Sequence, residues 1–151
     1  MDAFVVRHAK AGSRRRFEGD DRLRPLSRNG RAQAEAITEL LAHRDIARVL
    51  SSPYTRCIQT VEPLAKKLGL EVELDEELGE GHDWAHALEL VQRAKAPIAL
   101  CSHGDVIGDL MRHLAARGVP LDDDRFEKGS TWVLQVEDGE VVKARYLPPP
   151  A

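Results

Sequence analysis

Two patterns of apolar residues alternate along the chain. Short continuous apolar runs, typical of buried strands, occur at Ala3–Arg7, Ala47–Ser51, Leu70–Leu74 and Pro97–Ser102. Between them the apolar positions follow a helical period. They predict helices from the cap Ser27 to about His43, from Ser52-Pro53 to Leu68, over Trp84–Ala94 and over Val106–Arg117. This alternation predicts an α/β fold: a three-layer sandwich with a mostly parallel central sheet and helices on both faces.

The last part of the chain has a different pattern. Thr131–Glu137 and Glu140–Tyr146 are strand-like and flank Asp138-Gly139, which predicts a C-terminal antiparallel hairpin. Pro63 lies inside the second helical pattern and is expected to kink that helix or split it. We predict one domain over residues 1–147, followed by a proline-rich tail over residues 148–151.

Composition narrows the class of protein. Hydrophobic residues make up 42% of the 151 residues and charged residues 31%, which is enough to build a core and a solvated surface. Because no apolar run approaches the roughly 20 residues that span a bilayer, we expect no membrane association. The first residues run straight into a strand and leave no room for a signal peptide, so a cytoplasmic protein is expected. Cys57 and Cys101 are then expected to be free, buried thiols.

The charge is unevenly distributed. The net charge of −3 predicts no general affinity for nucleic acid. The window Arg7–Arg31 nevertheless holds nine basic residues against three acidic ones, and most of the nine are arginines. Arginine suits bidentate binding of phosphate or carboxylate. Within this window, Arg14-Arg15-Arg16 is either a solvated surface or an extension of the positive field toward a second phosphate or a protein partner.

Three predicted strands end in polar side chains. Arg7-His8, the segment Ser51–Arg56 and Ser102-His103-Gly104 each follow a strand. Ligands of such sheets bind at the carboxyl ends of the strands, so these residues are expected to face one crevice. Two arginines there need a counter-charge, and an external phosphate dianion would match both guanidinium groups.

A histidine between two arginines is suited to nucleophilic chemistry. The like charges should lower its pKa, so the neutral ring keeps a free lone pair. That lone pair could attack phosphorus, while the arginines and a second histidine stabilise the equatorial oxygens.

The three blocks resemble a known family. Phe4-Val5-Val6-Arg7-His8-Ala9, then Ser51-Ser52-Pro53-Tyr54-Thr55-Arg56-Cys57-Ile58-Gln59-Thr60, then Ser102-His103-Gly104 are similar to the histidine phosphatase (phosphoglycerate-mutase-like) superfamily. The resemblance implies that His8 is the nucleophile and forms a phosphohistidine. It implies that Arg7 and Arg56 bind the phosphoryl oxygens and that His103 completes the phosphate pocket.

The family also places an acidic proton donor between the second and third blocks. Here that segment is Asp75–Gly81, in which Glu80 is the preferred candidate and Glu77 the alternative. The family's commonest first block has glycine after the histidine, where this chain has Ala9. The same substitution occurs in the SixA-type phosphohistidine phosphatase branch.

Two closer resemblances imply different substrates. The short chain and Arg24-Pro25-Leu26-Ser27 are similar to SixA-type enzymes, which act on phosphohistidine in proteins. Ala11-Gly12-Ser13-Arg14 and Lys128-Gly129-Ser130-Thr131-Trp132 resemble the phosphatase half of bacterial two-domain proteins. In those, a Nudix domain precedes the phosphatase half and the substrates are nucleotides.

The sequence therefore predicts a metal-independent phosphatase that needs no cofactor and acts on a protein phosphohistidine, a nucleotide or another small phosphate ester. Two other classes stay open: a non-catalytic phosphate-binding module, and a metal-dependent hydrolase using His82 and His86, for which no third ligand is evident. Composition leaves the oligomeric state undetermined.

Overall fold

The computed structural model describes residues 1–150. Six strands form one sheet in the order β3-β2-β4-β1-β5-β6. The strands are β1 Asp2–Arg7, β2 Arg48–Ser51, β3 Val72–Leu74, β4 Ile98–Ser102, β5 Thr131–Glu137 and β6 Glu140–Leu147. The first four pair in parallel, whereas β5 pairs antiparallel with both β1 and β6. The predicted α/β fold with a mostly parallel sheet and a C-terminal hairpin is confirmed.

Four helices cover the sheet: α1 Arg28–Leu41, α2 Thr55–Lys67, α3 Ala85–Arg93 and α4 Gly104–Ala116. Two short 3-10 turns, Asp21–Leu23 and Glu76–Leu78, lie in the connections. Ser27 caps α1 as predicted, since its hydroxyl accepts a hydrogen bond of 3.0 Å from the Gly30 amide. No helix among residues 1–150 has the length and apolar character that crossing a bilayer requires.

Alternate side chains of β1 separate the core into two layers. Ala3 and Val5 belong to one buried cluster, together with apolar residues of α3 and α4. Phe4 and Val6 belong to another, together with apolar residues of α1 and α2. This alternation follows from the two-residue period of a strand and produces the predicted three layers.

Several predicted details of the helices and strands differ from the structure. β3 begins at Val72 rather than Leu70 and keeps only three residues. α4 begins at Gly104, two residues before the predicted start, so the helix follows His103 directly. α2 is assigned as one helix through Pro63, so the expected split does not occur. Its neighbours Val61 and Leu64 are fully buried, and this packing offsets the hydrogen bond that proline cannot donate.

The turn of the hairpin follows the sequence pattern closely. Asp138 and Gly139 both have positive φ angles, 51° and 75°, as a tight two-residue hairpin turn requires. Strand β6 ends at Leu147, and Pro148–Pro150 continue without regular secondary structure. Residue 151 of the predicted tail lies outside the described residues.

Candidate active site

The carboxyl ends of three adjacent strands form one crevice. Arg7 pairs in register with Ser102 across β1 and β4, and Ser51 pairs with Cys101 across β2 and β4. The His8 amide donates a hydrogen bond of 3.2 Å to the Ser102 carbonyl, which fixes the chain just beyond β1. Parallel register thus brings together residues that are about a hundred positions apart.

The two histidines of the crevice are neighbours. The ring centroids of His8 and His103 are 5.4 Å apart, and the rings meet edge to face. His8 is 6% exposed and His103 is 1% exposed. Both rings are therefore held by packing, as a site that must present an atom in a fixed direction requires.

The protonation of His8 follows from its surroundings. Nδ1 lies 2.8 Å from the Ala9 carbonyl oxygen, which can only accept, so Nδ1 carries the proton and Nε2 has the free lone pair. Burial lowers the pKa of His8 to about 3, with smaller contributions from His103, Arg56 and Arg7. The lowered pKa expected from the sequence is present, but desolvation, not the like charges, is its main cause.

A hydroxyl contacts the buried ring of His103. Ser52 Oγ accepts a hydrogen bond of 3.2 Å from the Tyr54 amide and lies 2.9 Å from Nε2 of His103. When the hydroxyl donates to Nε2, the proton of a neutral ring is on Nδ1. Nδ1 is buried and has no hydrogen-bond partner among the described residues. A buried donor without a partner suits an incoming acceptor oxygen.

The sequence predicts that an external anion pairs with Arg56, but in the structure this arginine already has partners within the protein. Its side chain is 1% exposed, and it donates to the Asp21 carbonyl at 2.9 Å and to Asp21 Oδ2 at 3.2 Å. Glu80 Oε1 lies 3.5 Å from the same guanidinium group. Asp21 is 35 positions from Arg56 along the chain, so the local sequence around Arg56 gives no sign of this partner.

Arg7 fits the prediction of an arginine that pairs with an external anion better than Arg56 does. It forms no ion pair within residues 1–150; one guanidinium nitrogen donates to the Phe126 carbonyl at 2.8 Å, and Nε is buried with no partner. A Cβ added to Gly104 would lie 2.7 Å from the Arg7 guanidinium carbon. Glycine at the start of α4 therefore makes room for this guanidinium group.

Arg24 and Asp21 lie beside these residues and were not among the predicted site residues. Arg24 is 5% exposed and donates to Asp21 Oδ1 at 2.9 Å and to the Gly12 carbonyl at 2.7 Å. The Arg24 hydrogen bond lowers the pKa of Asp21, and the nearby charge of Arg56 lowers it further. The Arg24-Pro25-Leu26-Ser27 block was the available signal, although it was interpreted only as a family resemblance.

The structure separates the two candidate acids. Glu80 lines the same cavity as Arg7 and His8, and its Oε1 lies 3.3 Å from Arg14. Glu77 instead places Oε2 2.7 Å from Nδ1 of His86. Only Glu80 of the pair is thus near the histidine cluster.

The alternative metal site on His82 and His86 is not assembled. Within residues 1–150, the one group of side chains close enough to hold a metal ion is Asp75, Glu77 and His86, without His82. Both ring nitrogens of His86 already lie 2.7 Å from carboxylate oxygens. This arrangement is that of a histidine hydrogen-bonded between two acids.

The crevice opens into a cavity of about 650 Å³. His8 and Glu80 face it, together with the pocket-lining cations Arg7, Arg14, Arg24, Arg112 and Lys128. Gly104 and Asp105, the first residues of α4, also line it, so the positive end of this helix dipole is close to the cavity.

Buried Cys57 and Cys101 are free thiols, as expected, and Cys57 Sγ lies 3.5 Å from His103 Nε2.

Fold and site together define an α/β protein of the phosphoglycerate-mutase-like kind, with paired histidines and arginines at the carboxyl edge of its sheet. The model of the histidine phosphatase superfamily (branch 1) matches residues 3–87. The chain belongs to this superfamily, and the predicted membership is confirmed. The matched range includes Arg7, His8, Arg56 and Glu80 but ends before His103.

Two relatives extend along most of the chain. An 8-oxo-(d)GTP phosphatase of Mycolicibacterium smegmatis is 40% identical over 97% of this chain and 48% of its own length. A glucosyl-3-phosphoglycerate phosphatase of Mycolicibacterium vanbaalenii is 31% identical over 91% of this chain and 65% of its own length. The chain thus spans about half of the first relative and less than two thirds of the second.

Solved structures share the fold. The protein histidine phosphatase SixA complexed with tungstate has a TM-score of 0.76 and 23% identity, covering 97% of this chain and 94% of that one. A putative SixA from Agrobacterium tumefaciens also has a TM-score of 0.76, with 21% identity over 98% of each chain. At this identity the likeness concerns the fold alone.

Proposed function

We propose that this protein is a phosphatase, a phosphoric monoester hydrolase that acts through a phosphohistidine at His8. The observation that carries the proposal is the state of that ring. Nδ1 is fixed by the Ala9 carbonyl, and the pKa is lowered to about 3, so Nε2 has an available lone pair at neutral pH. A histidine in this state, next to His103 and two arginines, fits attack on phosphorus better than binding alone.

In the first step, Nε2 of His8 attacks the phosphorus atom and forms a P–N bond while the P–O bond to the leaving group breaks. Charge on the equatorial oxygens is stabilised by Arg7, Arg56 and the Nδ1–H of His103. The unpartnered Arg7 Nε and His103 Nδ1 are two buried donors that phosphoryl oxygens would satisfy.

Glu80 supplies the proton that the leaving oxygen needs. In the structure its carboxylate is shared between Arg14 and Arg56. A phosphoryl group that takes over Arg56 would release Glu80, which in its protonated carboxylic acid form donates to the leaving oxygen and becomes the carboxylate. In the second step Glu80 accepts a proton from water, the water oxygen attacks phosphorus, the P–N bond breaks, and inorganic phosphate leaves.

These steps obtain their charge stabilisation from side chains, so the reaction is proposed to need no metal ion and no cofactor. Full activity in excess chelator is the expected result. Loss of activity in chelator, with recovery on adding a divalent ion, would contradict this part of the proposal.

The substrate is proposed to be a small phosphorylated molecule of the nucleotide class. The relative that supports this choice is the 8-oxo-(d)GTP phosphatase, because its 40% identity extends over 97% of this chain. Phosphohistidine on a protein is the second candidate. It is favoured by the open cavity beside His8 and by the fold shared with SixA.

A trapping experiment tests the proposal. A substrate labelled in the transferred phosphoryl group is mixed with the protein and quenched in alkali, where phosphohistidine survives. We expect label on the wild-type protein that acid releases, and none on His8→Ala, whose turnover falls by about a thousandfold or more. His43→Ala, at an exposed histidine, is the matched control. Equal turnover by His8→Ala and the wild type would overturn the proposal.

A further inference from the structure

One pocket-lining cation, Lys128, has no assigned role in the proposed reaction. The lysine is exposed at the cavity that contains Arg7 and His8. Within residues 1–150 no carboxylate lies at ion-pair distance from its ammonium group, and its side chain donates no hydrogen bond. Burial lowers the pKa of Lys128, and the positive charges of Arg7 and Arg24 lower it further. Lys128 is therefore a cation at this cavity without a counter-ion in the described part of the protein.

The carboxylates at the cavity already have other partners. Asp21 pairs with Arg24 and Arg56, and Glu80 pairs with Arg14. Asp105 accepts hydrogen bonds from the Gly81 and Val106 amides.

The remaining pocket-lining arginine also has a partner, since Arg112 pairs with Asp109. Among the cavity's cations this leaves Arg7 and Lys128 without an ion pair in the described part of the chain. The proposed reaction uses Arg7 for the transferred phosphoryl group, which leaves Lys128 available to pair with a second anion of the substrate.

The loop that contains Lys128 is fixed to the catalytic strand. The Phe126 carbonyl accepts a hydrogen bond from Arg7, and the Gly129 amide lies 3.2 Å from the Arg7 carbonyl and 3.1 Å from the His8 carbonyl. The backbone amide of Ser130 closes the turn by donating a hydrogen bond of 2.9 Å to the Glu127 carbonyl. These backbone contacts on both sides fix the main chain of Lys128 close to Arg7 and His8, so its side chain starts from a defined position at the cavity.

We propose that Lys128 binds a second anionic group next to the transferred phosphoryl group. Resting on the proposed function, this inference defines the substrate class as phosphate esters or anhydrides with a neighbouring phosphate or carboxylate. A nucleoside diphosphate fits this description, whereas a phosphomonoester without a second anion leaves Lys128 unpaired.

Two matched substrate pairs test the role of Lys128. Guanosine diphosphate and guanosine monophosphate differ by a second phosphate, and phosphoglycerate and glycerol phosphate differ by a carboxylate. We expect the wild type to prefer the compound with the additional anionic group, guanosine diphosphate or phosphoglycerate, in at least one pair. In Lys128→Gln that preference, measured as the ratio of kcat/KM values within the pair, should fall about tenfold, mainly through KM. Lys128→Arg should keep most of it, and Lys143→Gln, at an exposed lysine of β6, is the charge-matched control.

The outcomes separate the two levels of the proposal. A fall confined to the nucleotide pair identifies phosphate as the second anion, and a fall confined to the other pair identifies carboxylate. An unchanged ratio in both pairs overturns the role of Lys128 while leaving the phosphatase intact. Turnover of a phosphohistidine peptide without turnover of guanosine diphosphate or phosphoglycerate overturns the role of Lys128 as well. Only His8-independent turnover, or no turnover of any phosphate compound, removes the proposed function and the inference together.

Discussion

The hydroxyl of Ser52 lies 2.9 Å from Nε2 of His103 and also accepts a hydrogen bond from the Tyr54 amide. With this hydroxyl donating to Nε2, the ring proton of His103 is on Nδ1, the atom that has no partner within the described residues. Ser52 therefore acts through His103, and its contribution should be visible in the reaction.

Ser52→Ala should lower kcat about tenfold, because His103 loses the contact that fixes its tautomer. Ser51→Ala is the control: Ser51 is equally buried, and its hydroxyl donates to the Ser52 carbonyl instead. Each variant should lose about 1 kcal/mol of unfolding free energy. Steady-state kinetics and ¹⁵N NMR of the His103 ring test the difference; equal kcat values in the two variants would assign Ser52 a purely structural role.

The lowered pKa of His8 predicts a pH-dependent stability. In the folded protein this ring stays neutral down to about pH 3, whereas in the unfolded chain it binds a proton below its ordinary pKa of 6.5. The unfolded state therefore gains protons as pH falls from 6.5 toward 3, and the stability contributed by neutral His8 is lost over that window. The slope should approach about 1.4 kcal/mol per pH unit from this group in the middle of that window.

Denaturant titrations at several pH values can measure that slope. His8→Asn should lose this contribution, while His43→Asn, at an exposed histidine, should keep it. If the free energy of unfolding changed with pH by the same amount in His8→Asn and in the wild type, the His8 ring would have no lowered pKa in the folded protein.

The assignment of the proton donor predicts a dependence on the leaving group. Glu80→Gln should lower kcat/KM about a hundredfold for an alkyl phosphate, because the departing alkoxide then has no acid. With p-nitrophenyl phosphate the loss should be much smaller, since nitrophenolate leaves without a proton. Glu77→Gln is the matched control because Glu77 contacts His86. Equal losses on both substrates in Glu80→Gln would exclude the acid role.

The close approach of Gly104 to Arg7 predicts a steric effect on anion binding. In Gly104→Ala the new methyl group would lie 2.7 Å from the guanidinium carbon, so Arg7 must move. We expect the Kd for tungstate, a phosphate-like oxyanion, to rise at least about tenfold. Gly12→Ala is the control, since its added Cβ would lie 3.9 Å from the nearest atom, in the same cavity. Calorimetric titration of both variants measures the contrast.

The sequence predicted those parts of the site that depend on strand ends. Arg7-His8 and Ser102-His103 follow apolar runs directly, and the sheet rule placed them at one edge. The hairpin at Asp138-Gly139 was predicted because few residue pairs tolerate two positive φ angles. The turn follows from local chemistry, and the placement of the strand ends follows from the general rule for parallel sheets.

Other features depend on loops that no periodicity describes. The pairing of Arg56 with Asp21 joins α2 to the 3-10 turn before α1, a packing that the sequence does not encode locally. The distinction between Glu77 and Glu80 required knowing which way the turn after Asp75 directs each side chain. The helix through Pro63 continues because tertiary burial outweighs the local preference.

The six residues of β1 connect the imidazole of His8, the proposed attacking group, to the hydrophobic core. Phe4 and Val6 face one hydrophobic layer, Ala3 and Val5 the other, and the next residues are Arg7 and His8. A slip of one position would invert both layers and also carry the imidazole out of line with Arg56 and His103. The register of this one central strand thus determines both the packing of the two hydrophobic layers and the position of His8, the proposed nucleophile, so the same residues serve stability and the proposed reaction.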